Sequence, residues 1–164
     1  MEENFKWIIR KIIKSDNRDL NKILTSVMIE FGVPNEGTAL SDPELKKMFE
    51  TYQSNRSIYF IIKKNNKIFG GAGISQLRNS TENICELQKM YFLKEARGIG
   101  MGKIIINRCI KQAKIFGFKK CYIETMHNMK SAQKLYLSKG FDYINKPMGD
   151  TGHSSCPVWM LKEL

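Results

Sequence analysis

The first third of the chain carries a repeat of apolar residues at intervals of three and four positions. This spacing places side chains on one face of an α-helix, and the repeat comprises Leu20, Ile23, Leu24, Val27, Met28 and Phe31. Ser15 or Asp16 can cap the start of this helix, while Gly32 and Pro34 are expected to end it. The pattern therefore predicts an amphipathic helix that packs its apolar face against a core.

Two further elements flank this helix. A loosely alternating segment from Phe5 to Ile13 predicts a first strand. The segment Ser41-Asp42-Pro43-Glu44 has the residue types of a capping box with proline in the first turn, so a second, shorter helix is expected to follow. Its apolar face would consist of Leu45, Met48, Phe49 and Tyr52.

The middle of the chain predicts three consecutive strands, over residues 58–63, 67–76 and 84–93. Asn65 and Asn66 tolerate positive φ, which favours a tight hairpin turn between the first two strands. The second strand contains Gly70, Gly71 and Gly73. Glycines inside a strand indicate a bulge or a close approach of two backbones.

The second half alternates helices with strands. Helical spacing runs from residue 102 to 116, and a near-continuous apolar strand follows at 119–125. Asn128 can cap a helix that continues to Lys139, and segments 141–144 and 156–161 predict the last two strands. The predicted order, β α α β β β α β α β β, is typical of a mixed α/β sheet with helices on both faces.

A glycine-rich turn joins the strand at 84–93 to the helix at 102–116. It comprises Arg97, Gly98, Ile99, Gly100, Met101 and Gly102, and Lys103 follows. Glycines allow an anion to approach the backbone closely, and the first N–H groups of a helix have no partner inside it. The turn therefore predicts a phosphate site. A Walker A loop would need Ser or Thr where Ile104 stands, and a dinucleotide loop would need its third glycine at position 103 or 105.

Composition narrows the class of protein. The chain has 164 residues, which suits a single domain over residues 1–164, and no apolar run is long enough to span a membrane. No signal peptide is evident, so a cytoplasmic location is expected. The formal charge of +11 favours a polyanionic partner, although the basic residues form no block of five. The spacing of the cysteines and histidines predicts no metal site.

The motif Arg-x-x-Gly-x-Gly after a strand resembles the pyrophosphate loop of the GCN5-related N-acetyltransferase (GNAT) family. The strand from Glu86 to Phe92 precedes Arg97 as the family's central strand does. Residues 122–125, Asn128 and Gly140-Phe141 resemble the family's late strand, its second cofactor helix and the start of the next strand. The resemblance covers nearly the whole chain. It implies a mixed, mostly antiparallel sheet of six or seven strands and N-acetyltransferase activity.

The same resemblance implies acetyl-CoA as the acetyl donor. The backbone from Arg97 to Gly102 would bind the pyrophosphate, with Lys103 at the rim. The main chain of Met90, Tyr91 and Phe92 would pair with the amides of the pantetheine arm, and Asn128 would lie near that arm. This pairing requires the strand to separate from its neighbour, which the family achieves with a bulge.

The reaction needs a base for the amine proton, a donor for the oxyanion and an acid for the departing thiolate. Tyr136 matches the family tyrosine that serves as the acid, although a tyrosine here could simply pack in the core. Glu86 matches the glutamate base of some members, while others use water chains. Strand alternation would place Glu86 on the same face as Gln88, Met90 and Phe92. A backbone N–H of this strand is the expected oxyanion donor.

The sequence does not identify the acceptor amine, which belongs to a small molecule or a protein. The acidic segment 28–50 corresponds to the acceptor side in the family, so Glu30 or Glu36 could attract a cationic amine, with solvated helix faces as the alternative. His153 either borders the acceptor site or lies in an ordinary loop. Members often dimerise through edge strands or the last strand, so a homodimer is one expected state.

Two other functions remain open at this point. A non-catalytic acyl-CoA-binding module on the same fold would keep the loop and lack a productive acid and base. A nucleic-acid-binding protein is suggested only by charge, and the absence of a basic recognition helix argues against it. Such a protein would lose affinity steeply with salt and would not need the backbone of Gly100 and Gly102.

Overall fold

A computed structural model describes residues 6–164 of the chain. These residues form a seven-stranded sheet with the order β1-β2-β3-β4-β5-β7-β6. The strands are β1 (Ile8–Lys11), β2 (Ile58–Lys64), β3 (Lys67–Gln76), β4 (Ile84–Phe92), β5 (Lys120–Thr125), β6 (Asp142–Ile144) and β7 (Val158–Glu163). Every pair is antiparallel except β4 with β5. The predicted mixed, mostly antiparallel sheet is confirmed; Phe5, placed in the first strand, lies outside the described residues.

The helices of the described chain are α1 (Asn17–Glu30), α2 (Met48–Thr51), α3 (Met101–Ile115) and α4 (Lys130–Ser138). Short 3₁₀ helices cover Lys14–Asp16, Ala39–Ser41, Pro43–Lys46 and Lys94–Ala96. Gly32, Gly117 and Gly140 follow α1, α3 and α4 with positive φ, as expected of residues that end helices. Within residues 6–164 no helix has the length and apolar character needed to cross a membrane.

The predicted second helix is wrong in its start and its length. The segment that resembles a capping box begins the 3₁₀ helix Pro43–Lys46, and α2 is a single turn. The Asp42 side chain makes no cap because its carboxylate lies 3.0 Å from both Lys89 Nζ and His153 Nε2. Asp42, rather than Ser41, is the residue that precedes this 3₁₀ helix, and long-range partners occupy its side chain.

Close packing of β3 against its neighbours explains the glycines of that strand. A Cβ on Gly71 would lie 2.5 Å from the Tyr59 ring and would clash with the Phe60 carbonyl oxygen. The register between β3 and β4 shifts between Gly71 and Gly73, as the glycines predicted. Asn65 and Asn66 both have positive φ and form the expected tight turn between β2 and β3.

The sheet separates two hydrophobic layers. On one face α3 and α4 pack against β2–β5, with buried residues that include Ile74, Leu87, Ile105, Ile106, Cys109 and Tyr136. On the other face α1 and the segment around α2 pack on β2 and β3, through residues that include Leu20, Leu24, Met28, Met48, Tyr59 and Ile61. This confirms the helices on both faces and fixes which strand residues point to each side.

We expect Gly71→Ala to destabilise the protein by about 1–3 kcal/mol, because the added methyl group overpacks a strand that has no room for it. Urea unfolding measures the change. The matched variant Lys67→Ala, at the exposed start of the same strand, should stay within about 0.5 kcal/mol of the parent protein. Equal stability of the two variants would show that β3 can shift to accommodate a side chain.

Candidate active site

The glycine-rich turn presents free backbone donors at the start of α3. Gly98 and Gly100 adopt φ of +72° and +86°, a conformation that favours glycine. The Ile104 N–H donates to the Gly100 carbonyl oxygen at 3.2 Å, so the N–H groups of Met101 to Lys103 precede this bond of the helix. Together with the positive end of the helix dipole, these N–H groups form a site suited to a phosphate group.

Arg97 closes the turn and binds a carboxylate. Its Nε donates to the Phe92 carbonyl oxygen at 2.8 Å, and its two terminal nitrogens donate to Glu30 Oε1 and Oε2 at 2.8 Å each. The paired guanidinium lowers the pKa of Glu30. Glu30 therefore lies beside the phosphate turn, and the hypothesis that it attracts an acceptor amine is not supported by its position.

A groove of about 520 Å³ extends from this turn between the end of β4 and the start of α4. Most of the predicted cofactor residues line it, namely Met90, Tyr91, Phe92, Arg97, Gly98, Gly100, Gly102, Lys103 and Asn128. Ile99 and Met101 do not: Ile99 is 52% exposed, and Met101 is buried in the core. Only the backbone of these two residues can serve a ligand in the groove.

The groove exists because β4 separates from β5. Their parallel pairing covers Ile84 to Glu86 and goes no further within the described chain. Lys89 has φ of +48°, and at this point β4 has an extra residue relative to β3, which is a β-bulge. The main chain from Met90 to Phe92 thus lines the groove with its β5-facing edge unpaired, which is the separation that the resemblance to the family requires.

The bulge corrects one prediction about the faces of β4. Met90 and Phe92 pack with the α3 side of the sheet, together with Leu87. Tyr91 packs with the α1 side, where Gln88 accepts a hydrogen bond from Tyr52 and donates one to Glu86. Strict alternation placed Glu86 with Met90 and Phe92, and this is wrong because one extra residue exchanges the two faces beyond the bulge.

Asn128 lies at the groove but does not cap α4, whose first residue is Lys130. Its Nδ2 donates to the Phe31 carbonyl oxygen at 2.7 Å, which ties the end of α1 to the start of α4. Tyr136 is 4% exposed and packs against Phe141 with ring centroids 6.0 Å apart. Burial raises the pKa of Tyr136 far above its usual value, so the hydroxyl keeps its proton.

A polar cluster lies on the α1 side of the sheet. Glu86, Glu124 and His153 each place one ligand atom within 4.8 Å of those of the other two. Glu124 accepts hydrogen bonds from Tyr122 Oη at 2.7 Å and Thr151 Oγ1 at 2.6 Å. His153 therefore belongs to a built polar site rather than to an ordinary loop.

The environment shifts the protonation of this cluster. Burial, reinforced by Glu124, raises the pKa of Glu86, while the hydrogen bond from Gln88 opposes this. Burial lowers the pKa of His153, but the hydrogen bond to Asp42 and the charges of Asp42 and Glu86 outweigh it and raise the pKa overall. The pKa of Asp42 is lowered because its contacts with His153 and Lys89 outweigh burial.

Sequence reasoning missed Asp42, Lys89 and Glu124 as site residues. A signal existed for Glu124, since alternation along β5 places a carboxylate beside buried Tyr122. Asp42 and Lys89 gave no such signal, because their 3.0 Å ion pair joins segments far apart in the chain. The tertiary fold, and not a local sequence pattern, brings these three side chains together.

Comparison with known proteins identifies the family to which this arrangement belongs. The sequence model of the acetyltransferase (GNAT) family matches residues 24–141. The chain belongs to the GNAT family. It is 37% identical to the uncharacterized N-acetyltransferase YjgM of Escherichia coli K12 over 158 residues, which cover 96% of this chain and 95% of that protein.

Solved structures of GNAT proteins share the fold of this GNAT chain. The GNAT acetyltransferase of Staphylococcus aureus Mu50 superposes with a TM-score of 0.86 at 21% identity, covering 97% of this chain and 99% of that one. PaiA N-acetyltransferase of Thermoplasma acidophilum, solved with coenzyme A, gives 0.76 at 16% identity over 97% and 99% of the two chains. The chain is an N-acetyltransferase by family, and its acceptor is unidentified.

We expect Glu86→Gln to be more stable than the parent protein at about pH 8, and the difference to close near pH 4. The raised pKa of Glu86 means that the folded state disfavours its ionised form. The stability that the Glu86 side chain contributes is therefore fully present at pH values below its pKa in the unfolded chain. This stability is lost as the pH rises through its pKa in the folded protein. Urea unfolding across this range measures the difference. Glu95→Gln, with a side chain 60% exposed, should show no such pH trend; a constant gap for Glu86→Gln would contradict the assignment.

Proposed function

We propose that this protein transfers the acetyl group of acetyl-CoA to a primary amine of an unidentified small molecule or protein, by direct attack in a ternary complex. The observation that carries the proposal is the groove that joins the unpaired edge of β4 to the free N–H groups at the start of α3. A phosphorylated, extended ligand with amide groups matches both ends of this groove.

In this proposal the backbone from Arg97 to Gly102 binds the pyrophosphate, with Lys103 at the rim of the groove. The main chain of Met90 to Phe92 pairs with the pantetheine amides as an added strand would. The Asn128 side chain holds the far wall of the groove through Phe31. Two solved GNAT relatives are complexes with coenzyme A or acetyl-CoA, which supports this choice of donor.

We assign the proton transfers to Glu86 and Tyr136. Glu86 accepts a proton from the amine, directly or through water, as the nitrogen bonds to the thioester carbonyl carbon. The carbon–sulfur bond then breaks, and Tyr136 gives a proton to the departing thiolate. The raised pKa of Glu86 supports its role, because a carboxylate that holds a proton more tightly is a better base. Burial keeps Tyr136 protonated before the reaction, so its proton is present when the thiolate departs. A backbone N–H of Met90 to Phe92 stabilises the oxyanion.

Other expectations from the sequence stay predictions. These are a single domain over residues 1–164, a cytoplasmic location and the absence of a nucleic-acid partner. A homodimer formed by main-chain pairing would use β1 or β6, which are the edges of the described sheet. The last strand, β7, is paired on both sides by β5 and β6 and offers no free edge.

We expect calorimetric titration with acetyl-CoA to show micromolar binding that Gly100→Trp abolishes. Gly117→Trp is a matched control, because Gly117 has nearly the same φ (+80° against +86°) and equally open surroundings, yet follows α3 rather than preceding it. Both variants carry the same backbone strain, about 1–2 kcal/mol. Binding lost equally in both would attribute the effect to strain, and no binding to the folded parent would overturn the proposal.

We expect Tyr136→Phe to lower kcat by about 10²–10⁴-fold with little change in the dissociation constant of acetyl-CoA. Thiol release with an accepted amine measures the rate, and calorimetry measures the binding. Leu135→Met, on the same helix at the groove, controls for altered packing. If Tyr136→Phe leaves turnover unchanged, the tyrosine is a core residue; a parent protein that binds acetyl-CoA but turns over no amine would favour the non-catalytic module.

A further inference from the structure

The polar cluster on the α1 side carries more carboxylates than cations. Asp42 is satisfied by Lys89 Nζ and His153 Nε2, each at 3.0 Å. Glu124 has only hydroxyl donors and a His153 Nδ1 at 3.7 Å. The three carboxylates therefore face two cationic groups, and one negative charge is left without a counterion.

Glu86 is the carboxylate that lacks a partner of opposite charge. It is 5% exposed, and within residues 6–164 no Lys, Arg or His side chain forms an ion pair with it within 4.0 Å; its nearest such neighbour in the cluster, His153, is grouped with it within 4.8 Å. Its Oε2 accepts a hydrogen bond from Gln88 at 2.9 Å, whereas Oε1 has no donor in the described chain. Among the described residues no fully buried side-chain nitrogen or oxygen lacks a partner, so Oε1 retains some accessible surface.

A cavity of about 280 Å³ opens next to the cluster, beneath the loop between β6 and β7. Glu124 and His153 line it together with Thr151, Cys156 and Trp159. This volume is just below the range of about 300–1,000 Å³ that is typical of drug-sized ligands. The charged side chains in its lining are Glu124, Asp150 and His153, and no Lys or Arg lines it within the described residues.

We propose that the acceptor is a small cationic amine that carries no carboxylate near the reacting nitrogen, and that Glu86 and Glu124 select for it. The inference rests on the proposed acetyltransferase function and names its substrate class. The ammonium group of such an acceptor supplies the missing counterion for Glu86. The Glu86 carboxylate then accepts a proton from this ammonium group, which leaves the neutral amine that reacts. An α-carboxylate would bring a like charge close to Glu124, whose side chain is buried, and such contacts are unfavourable. The cationic residue in the lining, His153, already binds Asp42 at 3.0 Å.

The test compares amines with the amino acids from which they differ only by a carboxylate. Agmatine and arginine, cadaverine and lysine, and tyramine and tyrosine form three such pairs, and the amino acid amides remove the charge while keeping the bulk. We expect kcat/KM, measured by thiol release, to be roughly 10–100-fold higher for an accepted amine than for its amino acid. The amide of each amino acid, which lacks the negative charge, should regain most of the kcat/KM that the free amino acid loses. Equal rates within the pairs, or acetyl-CoA binding without use of any amine, would overturn the inference.

Two variants assign the selectivity to the cluster. Glu124→Gln should raise the KM for the amine about tenfold, reduce the preference for the amine over its amino acid, and leave the dissociation constant of acetyl-CoA unchanged. Glu163→Gln, with a side chain 76% exposed at the end of β7, should change none of these values. A merely structural role for Glu124 would alter stability or kcat without changing the preference, and would overturn the assignment.

Two further outcomes separate this inference from its alternatives. If a chelator abolishes activity and added Zn²⁺ or Mn²⁺ restores it, Glu86, Glu124 and His153 bind a metal ion, and the amine-selective role is overturned. If acetyl-CoA fails to bind the folded protein, the proposed function itself fails. Binding of acetyl-CoA with carboxylate-tolerant turnover would instead retain the acetyltransferase and reject only the substrate class.

Discussion

The separation of β4 from β5 is the constraint on which both halves of the site depend. Strand pairing ends at Glu86, and the bulge at Lys89 redirects the rest of β4. A backbone edge that would otherwise be paired in the sheet becomes available to a ligand. The same bulge sends Tyr91 to the α1 face and Met90 to the α3 face, so it also sets which side chains meet on each side of the sheet.

Contacts at the bulge link the two ends of the site. Tyr59 Oη donates to the Lys89 carbonyl oxygen at 2.7 Å, and the Lys89 side chain reaches Asp42 in the polar cluster. A non-glycine residue with positive φ costs stability, and these two interactions offset that cost. The positive φ of Lys89, which opens the groove, is therefore stabilised by contacts on the α1 side of the sheet, where the polar cluster lies.

Two parts of the site carry opposite charge. Free N–H groups, Lys103 and Lys130 surround the phosphate end of the groove, and Glu30 neutralises the Arg97 side chain there. The separate cavity beside the polar cluster is lined by Glu124, Asp150 and His153 and adjoins an excess of carboxylates, although the chain as a whole carries a formal charge of +11. The net charge favours a polyanionic partner, and it gives no indication of the acidic cluster.

The sequence by itself determined the element order, the mixed α/β sheet and the position of the glycine-rich turn. These follow from local signals: apolar periodicity, glycines where φ must be positive, and the strand–turn–helix order around Arg97. The strand that lines the groove followed from the resemblance to the GNAT family. Only the tertiary structure decided the partners of Asp42, Asn128 and Glu30, and the face on which Glu86 lies. The predicted cap at Asn128 was wrong, and its side-chain amide instead binds the distant Phe31 carbonyl oxygen. Face assignment failed because a single inserted residue, invisible to periodicity, reverses the alternation of a strand.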